Sequence, residues 1–125
     1  MSEIDKNSDL LQKFNPDGVR LAKETVHPVF PDLVDKIVSD IYGFAYRRPI
    51  LDMKTRHLVT LAAIAAMGGA ENQLTFQLGA ALNLGISADE VREVFMQVAV
   101  FAGNVRAFNA AAVFKSVLDE RVKEK

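Results

Sequence analysis

Few side chains in this sequence can exchange protons near neutral pH or act as nucleophiles. The 125 residues include two histidines, His27 and His57, and no cysteine. Without a thiol there is no disulfide, no Cys-x-x-Cys redox pair, no thiolate nucleophile and no zinc or iron–sulfur site built on sulfur. The histidines lie thirty residues apart, and no glycine-rich nucleotide motif is present. We therefore expect no metal and no cofactor.

His57 is the first candidate for acid–base chemistry. At about 100° per residue it falls on an apolar helical stripe with Met53, Leu61 and Ile64. A lone histidine in such a position is more often a core residue satisfied by one hydrogen bond. The alternative is a pocket acid or base that titrates near neutral pH.

Three glutamines interrupt otherwise apolar helical patterns. Gln73 and Gln77 are one turn apart and share a stripe with Ala80 and Leu84, whereas Gln97 interrupts the apolar run VFMQVAVF. Each amide either forms hydrogen bonds at an interface or a helix end, or lines a pocket that orients a polar ligand. Both interpretations remain open for Gln73 and Gln77, whereas for Gln97 alone a hydrogen bond at a helix end is favoured.

Several arginines could hold a ligand carboxylate through paired hydrogen bonds. The candidates are Arg47, Arg48, Arg56 and Arg106. For any one of them, a solvated surface position is the more common outcome.

These residues lie on segments that follow the helical period, separated by turn and cap residues. No segment shows the alternation of apolar and polar residues that is typical of a half-buried strand. The sequence therefore predicts an all-α protein of about six helices. We expect a loose arm over 1–14 and a single domain over 15–122. The first predicted helix begins at Asn15-Pro16-Asp17 and ends at about Val26, the second runs from Pro31-Asp32 to Gly43, and the third from Asp52 to Gly68-Gly69. The fourth runs from about Glu71 to Gly85, the fifth from the capping box Ser87-x-x-Glu90 to Gly103-Asn104, and the sixth from there to about Val122.

Composition excludes several classes of partner. Fifteen basic and sixteen acidic residues leave a net charge of −1 without a Lys/Arg block, so nucleic acid is not an expected partner. The most apolar stretch, Leu58 to Met67, is about half the ~20 residues of a membrane span. The sequence begins with Met1-Ser2-Glu3, without the basic and apolar residues of a signal sequence. We expect a cytoplasmic protein that does not enter the membrane.

Two of the predicted helices are apolar on nearly every side. The third is apolar beyond Leu58, and the sixth carries the run from Phe108 to Phe114. A domain of this size buries only about two-thirds of its chain surface within itself. Self-association would cover the remainder, although a central helix wrapped by one subunit would have the same composition.

Three extended segments resemble a known family. LDMKTRHLVTLAAIAAMGG, QLTFQLGAALNLGIS and EVREVFMQVAVFAGNVRAFNAA are similar, in order, to segments of the carboxymuconolactone decarboxylase family, which includes the alkylhydroperoxidase D-type proteins. The resemblance covers roughly Asp32 to Val122. It implies an all-helical subunit in a ring-like homo-oligomer, commonly a hexamer. It also implies a pocket lined by the third and fourth helices near a subunit contact.

The chain departs from the family pattern at the reactive positions. The resemblance implies a glutamate at position 57 and a histidine at position 77, where this sequence has His57 and Gln77. Ala70 and Gln73 stand where the peroxidase branch has its two cysteines. We therefore expect no thiol peroxidase activity, and the chain resembles the cysteine-free, decarboxylase-like branch.

The resemblance implies cofactor-independent decarboxylation of a small anionic lactone from aromatic catabolism, or acid–base chemistry on a related acid. A non-catalytic or ligand-binding member is the alternative, because both members of the usual pair are replaced. The expected catalytic residues are His57, as proton donor, and Gln77. The expected substrate-binding residues are Arg56, Gln73, Gln97 and Arg106.

Overall fold

A computed structural model describes residues 2–124, and these residues form helices without any strand. The predicted all-α class is confirmed. No helix in this part of the chain combines the length and apolar character needed to cross a membrane. The helices are α1 (Glu3–Lys6), α2 (Ser8–Phe14), α3 (Gly18–Glu24), α4 (Pro31–Val38), a π-helix (Ser39–Phe44), a 3₁₀ helix (Ala45–Arg47), α5 (Met53–Met67), α6 (Glu71–Asn83), α7 (Ala88–Ala102) and α8 (Asn104–Lys123).

The chain divides into two compact units, with the boundary between Met53 and Lys54. The sequence predicts a single domain over 15–122. An irregular segment precedes this boundary. Arg48 is extended, as expected for a residue before proline, and Ile50 is 88% exposed.

The first unit contains the N-terminal residues that were expected to form a loose arm. Instead, most of 1–14 lies in α1 and α2, which bury Ile4, Leu10, Leu11 and Phe14. The sequence did not predict these helices because four and seven residues are too few to show a clear helical period. The polar residues between the apolar ones also favoured a solvated segment.

Aromatic rings and one arginine hold the first unit together. The Phe14 ring packs edge-on against those of Tyr42 and Tyr46, with centroid distances of 5.0 and 4.9 Å. Arg47 donates to both carboxylate oxygens of Asp9 at 2.8 and 3.0 Å, and its Nε donates to the Tyr42 carbonyl at 3.0 Å. Arg47 therefore binds a carboxylate of its own chain instead of a ligand's.

The helical segment that begins at Pro31 does not end at Gly43 as predicted. It continues as the π-helix through Gly43 to Phe44. Gly43 is not among the glycines with positive φ, so it does not form the left-handed stop that the prediction requires.

The second unit has its own core between α5, α6, α7 and α8. The buried residues that form it are Leu61, Ala65, Leu74, Leu78, Ala81, Ile86, Val91, Phe95, Val98, Ala110, Phe114 and Val117. The predicted glycine stops are present, because Gly68, Gly85 and Gly103 have positive φ. The Ser87 capping box is also present, with both of its hydrogen bonds to Glu90 formed.

Candidate functional site

His57 connects α5 to α6 inside the second unit. Its side chain is 0% exposed, and Nε2 lies 2.7 Å from the backbone carbonyl oxygen of Gln77. A carbonyl oxygen can only accept, so Nε2 carries the proton and donates it to this bond. His57 thus satisfies the core-histidine interpretation and contacts the second candidate residue at the same time.

The environment of His57 favours the neutral imidazole. Burial lowers the pKa of His57 below its ordinary value of 6.5, and the hydrogen bond to the Gln77 carbonyl only partly opposes this effect. At neutral pH the ring is therefore uncharged, with its hydrogen on Nε2. A neutral ring of this kind is a poor proton donor.

Gln77 is buried as well, with 3% of its surface exposed. It lies on α6 beside the core residues Leu74, Leu78 and Ala81, so the packing of this helix carries the amide inward. Its side-chain Oε1 is buried, and no donor within residues 2–124 forms a hydrogen bond to it. A buried acceptor without a partner is uncommon in native proteins and requires an explanation.

Gln73 lies one helical turn before Gln77, as the sequence predicts, but its side chain is exposed. The polar stripe of α6 therefore runs from the surface at Gln73 to a buried end at Gln77. The two amides therefore have different environments on one helix face.

Arg106 lies at a different place, at the turn between α5 and α6. Its Nη1 donates to the Met67 carbonyl at 2.8 Å, and its guanidinium occupies the space where a side chain at Gly68 would begin. A cavity of about 20 Å³ beside it is also lined by Glu71 and Asn109, and neither His57 nor Gln77 lines it. Arg106 binds the end of α5, and the cavity is the size of a single water molecule.

Gln97 is exposed and lines a groove of about 450 Å³ with Leu58 and three acidic side chains, Asp89, Glu90 and Glu93. Asp89 is paired with Arg92, so the charges at this groove are of both signs, and neither His57 nor Gln77 lines it. Arg56 is partly buried on α5, and its backbone carbonyl accepts from Thr60 Oγ1 at 3.2 Å.

Of the six predicted site residues, the structure brings His57 and Gln77 into contact and places Gln73 next to them along α6. Arg106 and Gln97 line separate hollows. Among residues 2–124, no three His, Asp or Glu side chains are grouped closely enough to hold a metal ion.

A groove between α7 and α8 was not predicted from the sequence. It has a volume of about 560 Å³ and is lined mainly by apolar side chains, including Phe95, Met96, Phe108 and Phe114, with Arg92 and Lys115 at its edge. The apolar runs of these two helices are the signal in the sequence for such a surface.

Comparison with known proteins finds one family and several relatives. Residues 33–116 match the Carboxymuconolactone decarboxylase family. The chain is 31% identical over 103 residues to a 4-carboxymuconolactone decarboxylase of Acinetobacter baylyi, covering 79% of this chain and 76% of that protein. It is 24% identical over 134 residues to the nitrosuccinic acid decarboxylase npaB of Metarhizium robertsii, covering 98% and 93% of the two chains.

A third relative, an uncharacterized 15.0 kDa protein in the nqo9-nqo10 intergenic region of Paracoccus denitrificans, is 27% identical over 122 residues, with 97% and 91% of the two chains covered. The family match extends over most of the chain, and the Acinetobacter relative is more than 30% identical over more than two-thirds of both chains. The chain belongs to the carboxymuconolactone decarboxylase family.

Proposed function

We propose that this protein decarboxylates a small carboxylic acid without a cofactor, with a lactone of the carboxymuconolactone type as the first substrate to test. The observation that carries the proposal is the 2.7 Å hydrogen bond from His57 Nε2 to the backbone carbonyl of Gln77. It joins the two positions at which the family resemblance implies a reactive pair. Two relatives that are named decarboxylases, for different acids, support the reaction class.

The chemistry requires little from the protein beyond orientation and hydrogen bonding. When the bond to the carboxyl carbon breaks, its electron pair passes to the conjugated lactone carbonyl, carbon dioxide leaves, and a proton replaces it. Apolar walls disfavour the charged carboxylate more than the delocalised transition state, and amide groups stabilise the growing negative charge. In this proposal the proton comes from water, because His57 is neutral and its Nε2–H is bound to Gln77.

The direct test is to incubate purified protein with carboxymuconolactone and follow the loss of the carboxylated substrate. We expect turnover by the wild type and a fall in kcat/KM of about 10²-fold or more in Gln77→Met, which removes the amide but keeps the length of the side chain. Gln97→Met is the matched control and should change the rate by less than about threefold. A wild-type protein inert toward this lactone and toward nitrosuccinate would contradict the proposal.

A second candidate function is ligand binding without catalysis. The full burial of His57 and its bond to a backbone carbonyl favour it, because a structural histidine has these same properties. Ligand-dependent stabilisation of the wild type without any turnover would support this function over decarboxylation.

We also propose that the working form is a homo-oligomer, with the ring-like hexamer that the resemblance implies as the expected size. An apolar surface on α7 and α8 supports this: Phe101 is 81% exposed and Phe108 is 76% exposed. Monomeric proteins rarely leave several large apolar side chains exposed in one patch.

A further inference from the structure

The groove between α7 and α8 has no part in the proposed decarboxylation. Its volume of about 560 Å³ is within the range of pockets that hold small molecules, and neither His57 nor Gln77 lines it. We propose that this groove binds a medium-chain carboxylate, with the apolar tail between the two helices and the carboxylate between Arg92 and Lys115. The ligand of this site is not the substrate of the proposed reaction.

Small side chains on both helices create the groove. Ala99 on α7 and Ala107 and Ala111 on α8 line it, and at these positions no large side chain fills the space between the helices. The rings of Phe95 and Phe114 also line it; both are buried and pack edge-on with a centroid distance of 6.3 Å. A groove with fixed apolar walls favours an apolar tail, because the tail removes those walls from water.

The two cations of the groove lie at the same end. Arg92 is eleven residues before Gly103, where α7 and α8 meet, and Lys115 is twelve residues after it. Both helices line the groove, so the two side chains are at a similar level on facing helices. From Arg92 to Ala99, α7 rises about 10 Å toward the turn. The groove therefore has a cationic end and an apolar length, as a ligand with one charged head and one apolar tail requires.

The charges at the groove favour an anion. No acidic side chain among residues 2–124 lines it. Arg92 and Lys115 pair with Asp89 and Asp119 on their own helices, and these cations are 58% and 78% exposed. Exposed pairs of this kind contribute little free energy, so either cation can turn to a ligand carboxylate at small cost. A guanidinium also matches the two oxygens of a carboxylate.

The test is calorimetric titration of the full-length protein with decanoate, decanol and decyltrimethylammonium, which share one tail, and with butyrate, all below micelle-forming concentrations. We expect decanoate to bind about tenfold more tightly than the other two decyl compounds, the effect of a charge-assisted hydrogen bond. Butyrate should bind at least about a hundredfold more weakly, because its tail buries less apolar surface. Equal affinities among the decyl compounds, or no binding of decanoate, would overturn the proposal.

A pair of alanine substitutions locates the tail. Ala111→Phe fills the groove and should reduce the affinity for decanoate about tenfold or more, whereas Ala112→Phe, at the next position and outside the groove, should change it by less than about threefold. Both positions are exposed, so neither substitution alters the core. Equal losses in the two variants, or full binding by Ala111→Phe, would contradict the assignment of the groove.

Substitution of the cations locates the carboxylate. Arg92→Gln and Lys115→Gln should each weaken decanoate about threefold to tenfold and leave decanol unchanged. Lys36→Gln is the control, because Lys36 forms an equivalent exposed pair with Asp40 on α4. A loss of decanol binding that equals the loss of decanoate binding, or an effect of Lys36→Gln, would show that the cations do not hold the carboxylate.

A second copy of the chain is the alternative occupant. Phe108 lines the groove and also belongs to the apolar surface proposed for self-association. The ligand and a second copy therefore compete for it, and decanoate should lower the mass measured by light scattering. If the wild type binds no decanoate and Ala111→Phe alone lowers the mass, a second copy occupies the groove and the proposal is overturned.

Discussion

At the scale of single residues, His57 makes the stability of the protein depend on pH. Burial lowers the pKa of His57 below 6.5, so the unfolded chain takes up a proton at a higher pH than the folded chain. Its contribution to stability is fully present above about pH 6.5 and is lost progressively as the pH falls from 6.5 toward the lower pKa of the folded chain. We expect the melting temperature to fall between pH 7.5 and 5.5, and to fall less in His57→Gln, as followed by circular dichroism. His27→Gln is the control; equal flattening in both variants would contradict the role of the buried ring.

Two neighbouring glycines provide a second test at this scale. Gly68 and Gly69 have φ of 73° and 71°, but a Cβ at Gly68 would collide with the Arg106 guanidinium, whereas one at Gly69 would meet nothing within 4 Å. Each substitution by alanine costs about 1 kcal/mol for the left-handed backbone. Gly68→Ala should cost about 1 kcal/mol more, because it also displaces Arg106 from the Met67 carbonyl.

Urea denaturation measures these differences. In an Arg106→Ala background the two glycine variants should become equally stable, because the hydrogen bond that distinguishes them is already absent. A difference that persists without Arg106 would show that another contact makes Gly68 the more sensitive position.

At the scale of elements, the short helices of the first unit depend on contacts between them. Helices of four and seven residues do not persist alone in water. The paired hydrogen bonds from Arg47 hold the pKa of Asp9 at about 2, against an ordinary value of 3.8. Asp9 is therefore charged wherever this unit is folded near neutral pH.

Asp9→Asn should lower stability at pH 7 by no more than about 1 kcal/mol, because both partners are well exposed and water screens the pair. A carboxyl with a lowered pKa stabilises fully above its ordinary value and progressively less as the pH falls toward about 2. Wild type and variant should therefore converge between about pH 4 and 2 in thermal denaturation. A constant difference over that range would show that the ion pair is not the source of the effect.

At the scale of the whole molecule, the apolar surface on α7 and α8 predicts self-association. Light scattering should give a mass that is a multiple of 13.8 kDa, and Phe108→Asp should lower it, because a buried unpaired carboxylate destabilises an interface. Asn109→Asp adds the same charge at the next position and should leave the mass unchanged. A wild-type mass of 13.8 kDa across the micromolar range would contradict the proposed assembly.

Local patterns in the sequence determined the class of fold and most helix ends. The Ser87 capping box and the Gly85 stop join residues three to five positions apart, so the order of residue types is sufficient to predict them. The resemblance also led to the expectation that the third and fourth helices form a pocket. His57 and Gln77 make contact across α5 and α6, but neither residue lines the cavities described above.

Only the tertiary structure decided which partners the polar side chains have. His57 binds Gln77 across 20 positions, Arg47 binds Asp9 across 38, and Arg106 binds Met67 across 39. Contacts over such separations depend on the angle and register at which helices pack, and these follow from the fit of many side chains at once. For the same reason, the amphipathic pattern of α6 could place Gln77 on a face, but only packing could bury its Oε1 without a partner.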